Sequence, residues 1–229
     1  MSRPPSTPPT PIQRHNYRAV QADSVFLGIV SASSTFLPVF LLRLGASGTA
    51  IGLLTAIPAV VALFLAIPFG RVLQRRRNIV PWYSQLRLVA WLSYAVMAAV
   101  AALLPPSSAV PVMLVVWALA ALPSTAALVA FPIIFAGAAG PAGRFDLLGR
   151  RWAIAGATTT ISVAVGGQLL DLLPFPTNFE VLFLGITLAG FGSFLQSRRI
   201  VIPDQVRAPA TTAESLPARL RGIGTLVTS

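Results

Sequence analysis

Few side chains in this sequence have the chemistry to act within its apolar stretches. Arg87 is the one charged residue well inside such a stretch, where an ionisable group is costly enough to suggest a function. Cysteine is absent and the single histidine is His15, near the N-terminus. These absences exclude thiolate metal sites, haem ligation by histidine and an intramembrane serine protease with a histidine base. We therefore expect no enzyme activity and no cofactor.

Two interpretations of Arg87 stay open. It follows Ile79 by eight residues, or about 12 Å along a helix, so its guanidinium could snorkel back to the membrane surface or anchor helices. Alternatively, it contacts a substrate or takes part in gating. The acidic residues near the apolar stretches, Asp23, Asp171 and Glu180, all fall at their ends. No carboxylate is therefore expected near mid-membrane to couple transport to protons.

Small hydroxyl residues share one face of two apolar stretches. Ser31 and Thr35, with Ser34 beside them, lie in the first stretch, and Thr159 and Ser162 lie in the fifth. These faces could line a water-filled path, or the hydroxyls could bond to carbonyls of their own helices; both interpretations stay open. We assign the following residues to a candidate substrate pathway: Ser31, Ser34, Thr35, Arg87, Ser124, Thr159, Ser162 and Gln168.

The composition indicates that one partner of this chain is a lipid bilayer. Of the 229 residues, 55% are hydrophobic and 10% are charged, whereas soluble domains carry about 25% charged residues. The formal charge of +11 does not indicate a nucleic-acid partner, because the arginines lie between apolar stretches and do not gather on one face.

Six apolar stretches are each long enough to cross a bilayer as a helix, which takes about 20 residues. They predict an all-α integral membrane protein, a six-transmembrane-helix bundle over residues 24–203. Residues 1–23, rich in Pro, Ser, Thr and Arg, are predicted as a flexible cytoplasmic tail. Residues 204–229 are predicted as a cytoplasmic linker or a truncated loop between two halves. The predicted spans are 24–42, 49–70, 79–104, 110–138, 152–170 and 179–196.

The distribution of arginine predicts the orientation, because positively charged loops stay in the cytoplasm. With six spans, one side holds fifteen arginines and the other holds only Arg43. We therefore expect a multi-pass protein of the cell membrane, plasma or inner, with both termini in the cytoplasm.

Stripes of small residues predict where helices approach one another, since close packing in a bilayer depends on them. We expect helix contacts on two such stripes. The stripe of the second span comprises Gly52, Ala56, Ala59, Ala66 and Gly70, and that of the sixth comprises Gly185, Ala189 and Gly192.

Three segments together resemble parts of the N-terminal half of a major facilitator superfamily transporter. The segment from Phe36 to Ser47 is similar to the end of that family's first helix and the following turn. The segment from Gly70 to Arg77 is similar to the basic signature loop between its second and third helices. The segment from Arg144 to Arg151 resembles the weaker signature between its fourth and fifth helices.

The resemblance implies secondary transport of a small solute by alternating access. In that family helices one and four line the cavity and helices two and five face the opposite half, so this chain needs a second six-helix half or self-association. The resemblance also implies a cytoplasmic gate of basic residues: Arg71, Arg75, Arg76, Arg144 and Arg151. Two alternatives stay open, namely a membrane subunit of an ABC-type permease and a nonfunctional remnant of a transporter.

Overall fold

Six helices that are long and apolar enough to cross a membrane make up residues 10–202, the part of the chain that this computed structural model describes. Within those residues the structure is all-α, without strands, as the sequence predicts. We number the spans one to six. Their bounds are Pro11–Arg43, Gly48–Gln74, Val80–Leu103, Pro106–Gly140, Gly143–Leu172 and Thr177–Ser197.

Span one starts earlier than the sequence composition predicts. Helix begins at Pro11 and runs to Ser31, and a second helical segment, Ser33–Arg43, completes the span. The prediction of a flexible tail over residues 1–23 is thus wrong for residues 11–23, while residues 1–9 and the predicted linker at 204–229 lie outside the described residues. A capping box explains this start: the Thr10 hydroxyl accepts from the Gln13 amide, and the Gln13 side chain accepts from the Thr10 amide.

Span five also starts early, at Gly143, although a loop was expected up to residue 151. The backbone break that separates it from span four falls at Gly140, whose φ of 71° favours glycine. Arg151 therefore lies two turns inside a helix instead of on a loop. This position allows its side chain to enter the bundle.

Backbone approach, an indole hydrogen bond and aromatic side chains bring five pairs of spans together, in addition to the polar contacts described below. Span one meets span five where a Cβ on Gly28 would lie 2.6 Å from the Ala155 carbonyl oxygen, and span two meets span four where the Trp117 indole donates to the Leu54 carbonyl at 2.9 Å. Three aromatic contacts mark the other pairs. They are Phe40 on Phe179 for spans one and six, Tyr94 on Trp117 for spans three and four, and Trp91 against Gly190 for spans three and six.

Two apolar clusters occupy opposite ends of the bundle. One contains Phe40, Met97 and Phe183, and the other contains Ile79 and Phe135. Along spans one, three and six, the polar residues described below fall between the stretches that contribute to the two clusters. The bundle thus has two apolar ends and a polar middle layer.

The two ends of the described chain meet at one end of the bundle, through Asn16. Its side-chain amide donates to the carbonyls of Ala138 and Val201 at 3.1 Å and 2.8 Å, and its carbonyl accepts from the Val201 amide at 2.9 Å. His15 also contacts the Arg199 carbonyl, at 3.0 Å. The chain therefore enters and leaves the bundle at the same end, which agrees with an even number of spans.

The two small-residue stripes differ in their contacts. In span six, a Cβ on Gly192 would lie 2.5 Å from the Phe26 ring, so the predicted contact with another helix is confirmed there. It is wrong for Gly185, which is exposed and has nothing within 4 Å of a Cβ. In span two, Gly52, Ala56 and Ala59 are exposed, and nothing lies within 4 Å of a Cβ placed on Gly52. The prediction of a helix contact within the bundle is wrong for this part of the span-two stripe, because span four packs on another face.

Candidate functional site

A buried carboxylate joins four of the six spans. Asp23, two turns before Ser31 ends the first segment of span one, is 1% exposed. Its Oδ1 atom lies 3.0 Å from Nη1 of Arg87 and its Oδ2 atom lies 2.7 Å from Nη1 of Arg151. The hydroxyl of Ser193, on span six, donates to Oδ1. We call Asp23, Arg87, Arg151 and Ser193 the charge cluster.

Arg87 is held by four side chains. Its Nη1 atom donates to Asp23 and its Nη2 atom donates to the Ser193 hydroxyl at 2.7 Å. Its guanidinium also lies over the rings of Tyr83 and Trp91, at 4.9 Å and 4.4 Å from the centroids. At 6% exposure, Arg87 does not reach the surface. The snorkelling interpretation is therefore wrong, because an internal carboxylate supplies the partner that solvent would otherwise provide.

Arg151 has fewer partners than Arg87. Its Nη1 atom donates to Asp23, and its guanidinium lies about 5 Å from the ring centroids of Phe131 and Phe135 on span four. Its Nε atom is buried and has no hydrogen-bond partner, the one such side-chain atom found in residues 10–202. Buried polar atoms are nearly always bonded, so this exception marks the site.

The charge cluster is not electrically balanced. One carboxylate faces two guanidinium groups, and the only other salt bridge in the described residues, Asp146 with Arg150, lies on the surface. The charge cluster therefore carries a formal charge of +1 inside an apolar bundle. Buried ions are costly unless they are paired, so a second anion would be bound favourably here.

A cavity of about 240 Å³ adjoins both arginines. Arg87, Arg151 and Tyr83 line it beside a mostly apolar wall, which consists of Leu27, Ala90, Trp91, Ser124, Ala127, Leu128, Phe131 and Trp152. A second cavity, of about 260 Å³, lies between spans two, three and four and shares Ala90, Trp91, Ser124 and Leu128 with the first. The two cavities thus form one groove along spans three and four.

The structure brings two of the predicted pathway residues to this groove and leaves six away from it. Arg87 lines the first cavity and Ser124 lines both. Of those away from the groove, Ser31 and Ser34 donate to backbone carbonyls within span one, and Thr159 donates to those of Ala155 and Gly28. Ser124, in the groove, donates to the Ala120 carbonyl. The remaining residues, Thr35, Ser162 and Gln168, line neither cavity.

The predicted gate residues separate into two groups. The side chains of Arg71, Arg75, Arg76 and Arg144 are exposed, and Arg76 stacks on Trp82 at 4.2 Å. Arg151 is 3% exposed and belongs to the charge cluster. Its expected position on a loop is thus wrong, because helix replaces that loop and turns its side chain inward. The assignment of these five arginines to a cytoplasmic gate stays a prediction.

Sequence reasoning missed Asp23 as the centre of the site. Hydropathy puts Asp23 at the end of an apolar stretch, because the composition of residues 1–23 is that of a polar tail. The available signal was the Thr10–Gln13 capping box, which makes residues 11–23 a helix and puts Asp23 well inside span one. Its pairing with residues 64, 128 and 170 positions away has no local signal.

Comparison of the chain with protein-family models, with curated proteins and with solved structures finds no match in any of the three.

Proposed function

We propose that this chain is one six-helix half of a secondary transporter of the major facilitator type, which moves a small solute by alternating access. The observation that carries the proposal is the pattern of helix packing. The pairs of spans in contact include one with five and two with four, one with six and three with four, and three with six. If span one is exchanged with span four, two with five and three with six, the same pairs result.

Such an exchange describes two three-helix repeats. Span one and span four start from opposite sides of the membrane, because three spans separate their starting points. The repeats are therefore inverted, as in each half of this transporter class. An ABC-type subunit would need a separate coupling helix at residues 140–151, and residues 143–151 instead continue span five.

Spans two and five are the surfaces that a second half would cover. In each of these two spans, only 11% of the apolar 18-residue segment is buried inside the bundle, whereas 44% of that segment is buried in spans one, three and six. Span two presents Gly52, Ala56 and Ala59 of its small-residue stripe on this surface, and such stripes allow close helix contacts in lipid. The partner in this proposal is a second six-helix bundle, either a separate half or another copy. We place the assembly in the cell membrane with both ends in the cytoplasm.

Site-directed photo-crosslinking tests the partner. Leu63 on span two and Ile161 on span five are 74% and 64% exposed, and Leu188 on span six is a matched control at 73%. Each is replaced by cysteine, which the chain otherwise lacks, and labelled with a benzophenone maleimide in native membranes. We expect a protein adduct of discrete mass from Leu63→Cys and Ile161→Cys only. Adducts from Leu188→Cys alone would contradict the proposed interface.

Thiol accessibility tests alternating access. Ser124 lines both cavities, so in the assembled protein Ser124→Cys should react with an impermeant maleimide in intact cells and also in inside-out vesicles. Ser107→Cys, at the start of span four, which we place outside, is the control and should react only in intact cells. Reaction of Ser124→Cys from one side only, in membranes that give the crosslinked adduct, would contradict transport.

A further inference from the structure

The charge imbalance of the cluster points to a ligand. Asp23 forms a salt bridge with both Arg87 and Arg151, so its single negative charge is shared between two positive charges. In the described residues, no other carboxylate forms a salt bridge with either arginine. One additional negative charge would balance the site.

Arg151 is the residue best placed to receive that charge. Arg87 already uses both terminal nitrogens, on Asp23 and Ser193, and stacks on two rings. Arg151 uses Nη1 on Asp23 and leaves Nε buried without a partner. A guanidinium offers parallel N–H donors that match the two oxygens of a carboxylate. The free donor and the excess charge are thus on the same side chain.

The lining of the cavity beside Arg151 indicates the chemistry of the rest of the ligand. Its wall is aliphatic and aromatic apart from Arg87, Arg151, Tyr83 and Ser124, and the Ser124 hydroxyl is already bonded to the Ala120 carbonyl. A pocket with few polar groups in an apolar wall favours a ligand with one polar end and an apolar body. A highly charged anion such as phosphate would leave several oxygens unpaired against this wall.

We propose that the charge cluster and its cavity bind a small organic monocarboxylate, with the carboxylate on Arg151 and the apolar body against Trp91, Leu128 and Trp152. This inference rests on the proposed function, in that it names the solute class of the transporter. Trp152 and Leu128 are 60% and 66% exposed on the bundle surface, so the cavity is open laterally. The headgroup of an anionic lipid is therefore the competing source of negative charge.

Binding to the purified full chain, in a neutral detergent, tests the proposal without any transport assay. The probes are hexanoate and benzoate, with hexanamide and benzamide as neutral matches, acetate as a carboxylate without an apolar body, and inorganic phosphate. Calorimetry gives affinity, and hexanoate is also followed by tryptophan emission, because Trp91 and Trp152 line the cavity. We expect saturable binding of hexanoate or benzoate that is at least tenfold tighter than that of acetate, phosphate or either amide.

Two adjacent arginines supply the matched variants. Arg151→Gln leaves Asp23 paired with Arg87 and the cluster neutral, and should weaken binding at least tenfold. Arg150→Gln also removes one positive charge, but on the surface, where Arg150 pairs with Asp146. This variant should bind like wild type. Ser124→Leu fills the cavity without changing charge and should also weaken binding, which keeps the test valid if Arg151→Gln fails to fold.

Four results would overturn the inference. They are no binding of either carboxylate to wild type, equal binding of acids and amides, an equal loss in Arg150→Gln, and displacement of hexanoate by phosphatidylglycerol but not by benzoate. Carboxylate binding without reaction of Ser124→Cys from both sides would overturn transport and leave the site standing. Ser124→Cys reactivity from both sides without carboxylate binding would leave transport standing and overturn the solute class.

Discussion

The Oδ2 atom of Asp23 accepts a hydrogen bond from Nη1 of Arg151 at 2.7 Å, although the two residues are 128 positions apart. The same carboxylate lies 3.0 Å from Arg87. Spans one, three and five therefore converge on one carboxyl group, with span six added through Ser193. The predictions below separate the structural role of this convergence from its proposed binding role.

Asp23→Asn should destabilise the bundle more than any other single change in the charge cluster. It leaves two buried guanidinium groups without a counter-charge, and breaking a buried ion pair costs about 3–5 kcal/mol. Unfolding of the purified protein in detergent, followed by circular dichroism, measures the loss. Asp146→Asn is the control, because it breaks an exposed pair worth about 0–1 kcal/mol. Equal stability of the two variants would show that the charge cluster is dispensable for folding.

Arg87→Lys should lower the free energy of unfolding by about 1–3 kcal/mol, since an ammonium cannot reproduce bonds to Asp23 and Ser193 together with stacking on Trp91. A snorkelling arginine would tolerate this change. Arg76→Lys is the matched control: Arg76 stacks on Trp82 at a similar distance but is exposed, so its loss should stay within about 0.5 kcal/mol.

Arg87→Leu should remain folded and be more stable than Asp23→Asn, because Asp23 then keeps Arg151 as a single counter-ion. The same denaturation experiment ranks the two variants. The reverse order would mean that packing around the guanidinium matters more than charge balance.

Gly28→Val should separate spans one and five. A Cβ on Gly28 would lie 2.6 Å from both the Ala155 carbonyl oxygen and the Thr158 Cβ, and overpacking of this kind costs about 1–3 kcal/mol. Gly52→Val in span two meets open space and should have little effect on the isolated chain. Thermal unfolding of both variants in detergent provides the comparison, and similar losses would place the two glycines in equivalent surroundings.

The topology prediction is tested with single cysteines, since the chain has none. An impermeant thiol reagent should label Ser107→Cys in intact cells and should not label Ser6→Cys until the membrane is permeabilised. The physical reason is the retention of arginine-rich segments in the cytoplasm. Labelling of both positions in intact cells would contradict the orientation.

Sequence reasoning located four of the spans well and two poorly. The observed bounds of spans two, three, four and six lie within about four residues of the predicted ones, because their ends coincide with changes in hydropathy. Spans one and five begin in polar stretches, at Pro11 and Gly143. Hydropathy does not predict a span there, and the helix is favoured by a cap or by packing. Both errors concealed members of the charge cluster, since Asp23 and Arg151 are the last residues of those polar stretches.

Of the candidate site, the sequence indicated Arg87 and Ser124 but not their surroundings. The cost of a charge in an apolar stretch marks Arg87 without naming its counter-ion. The polar residues Ser31, Ser34 and Thr159 were indistinguishable by type from residues that line a path, and their bonds to backbone carbonyls depend on local geometry. Contacts across 64 or more positions follow from the fold alone.

The contacts of Asn16 with Val201 hold the first and last described segments of the chain side by side. Because entry and exit lie side by side, a copy joined to residue 202 by a short connection would cross the membrane in the same direction as the first. Duplication of the whole unit therefore yields tandem bundles of like orientation, with no added span needed to restore it. An odd-numbered bundle would produce an inverted second copy. In the proposed two-bundle transporter, Asn16 would close each bundle as a self-contained module, so that two modules could tilt against one another while each kept its own internal contacts.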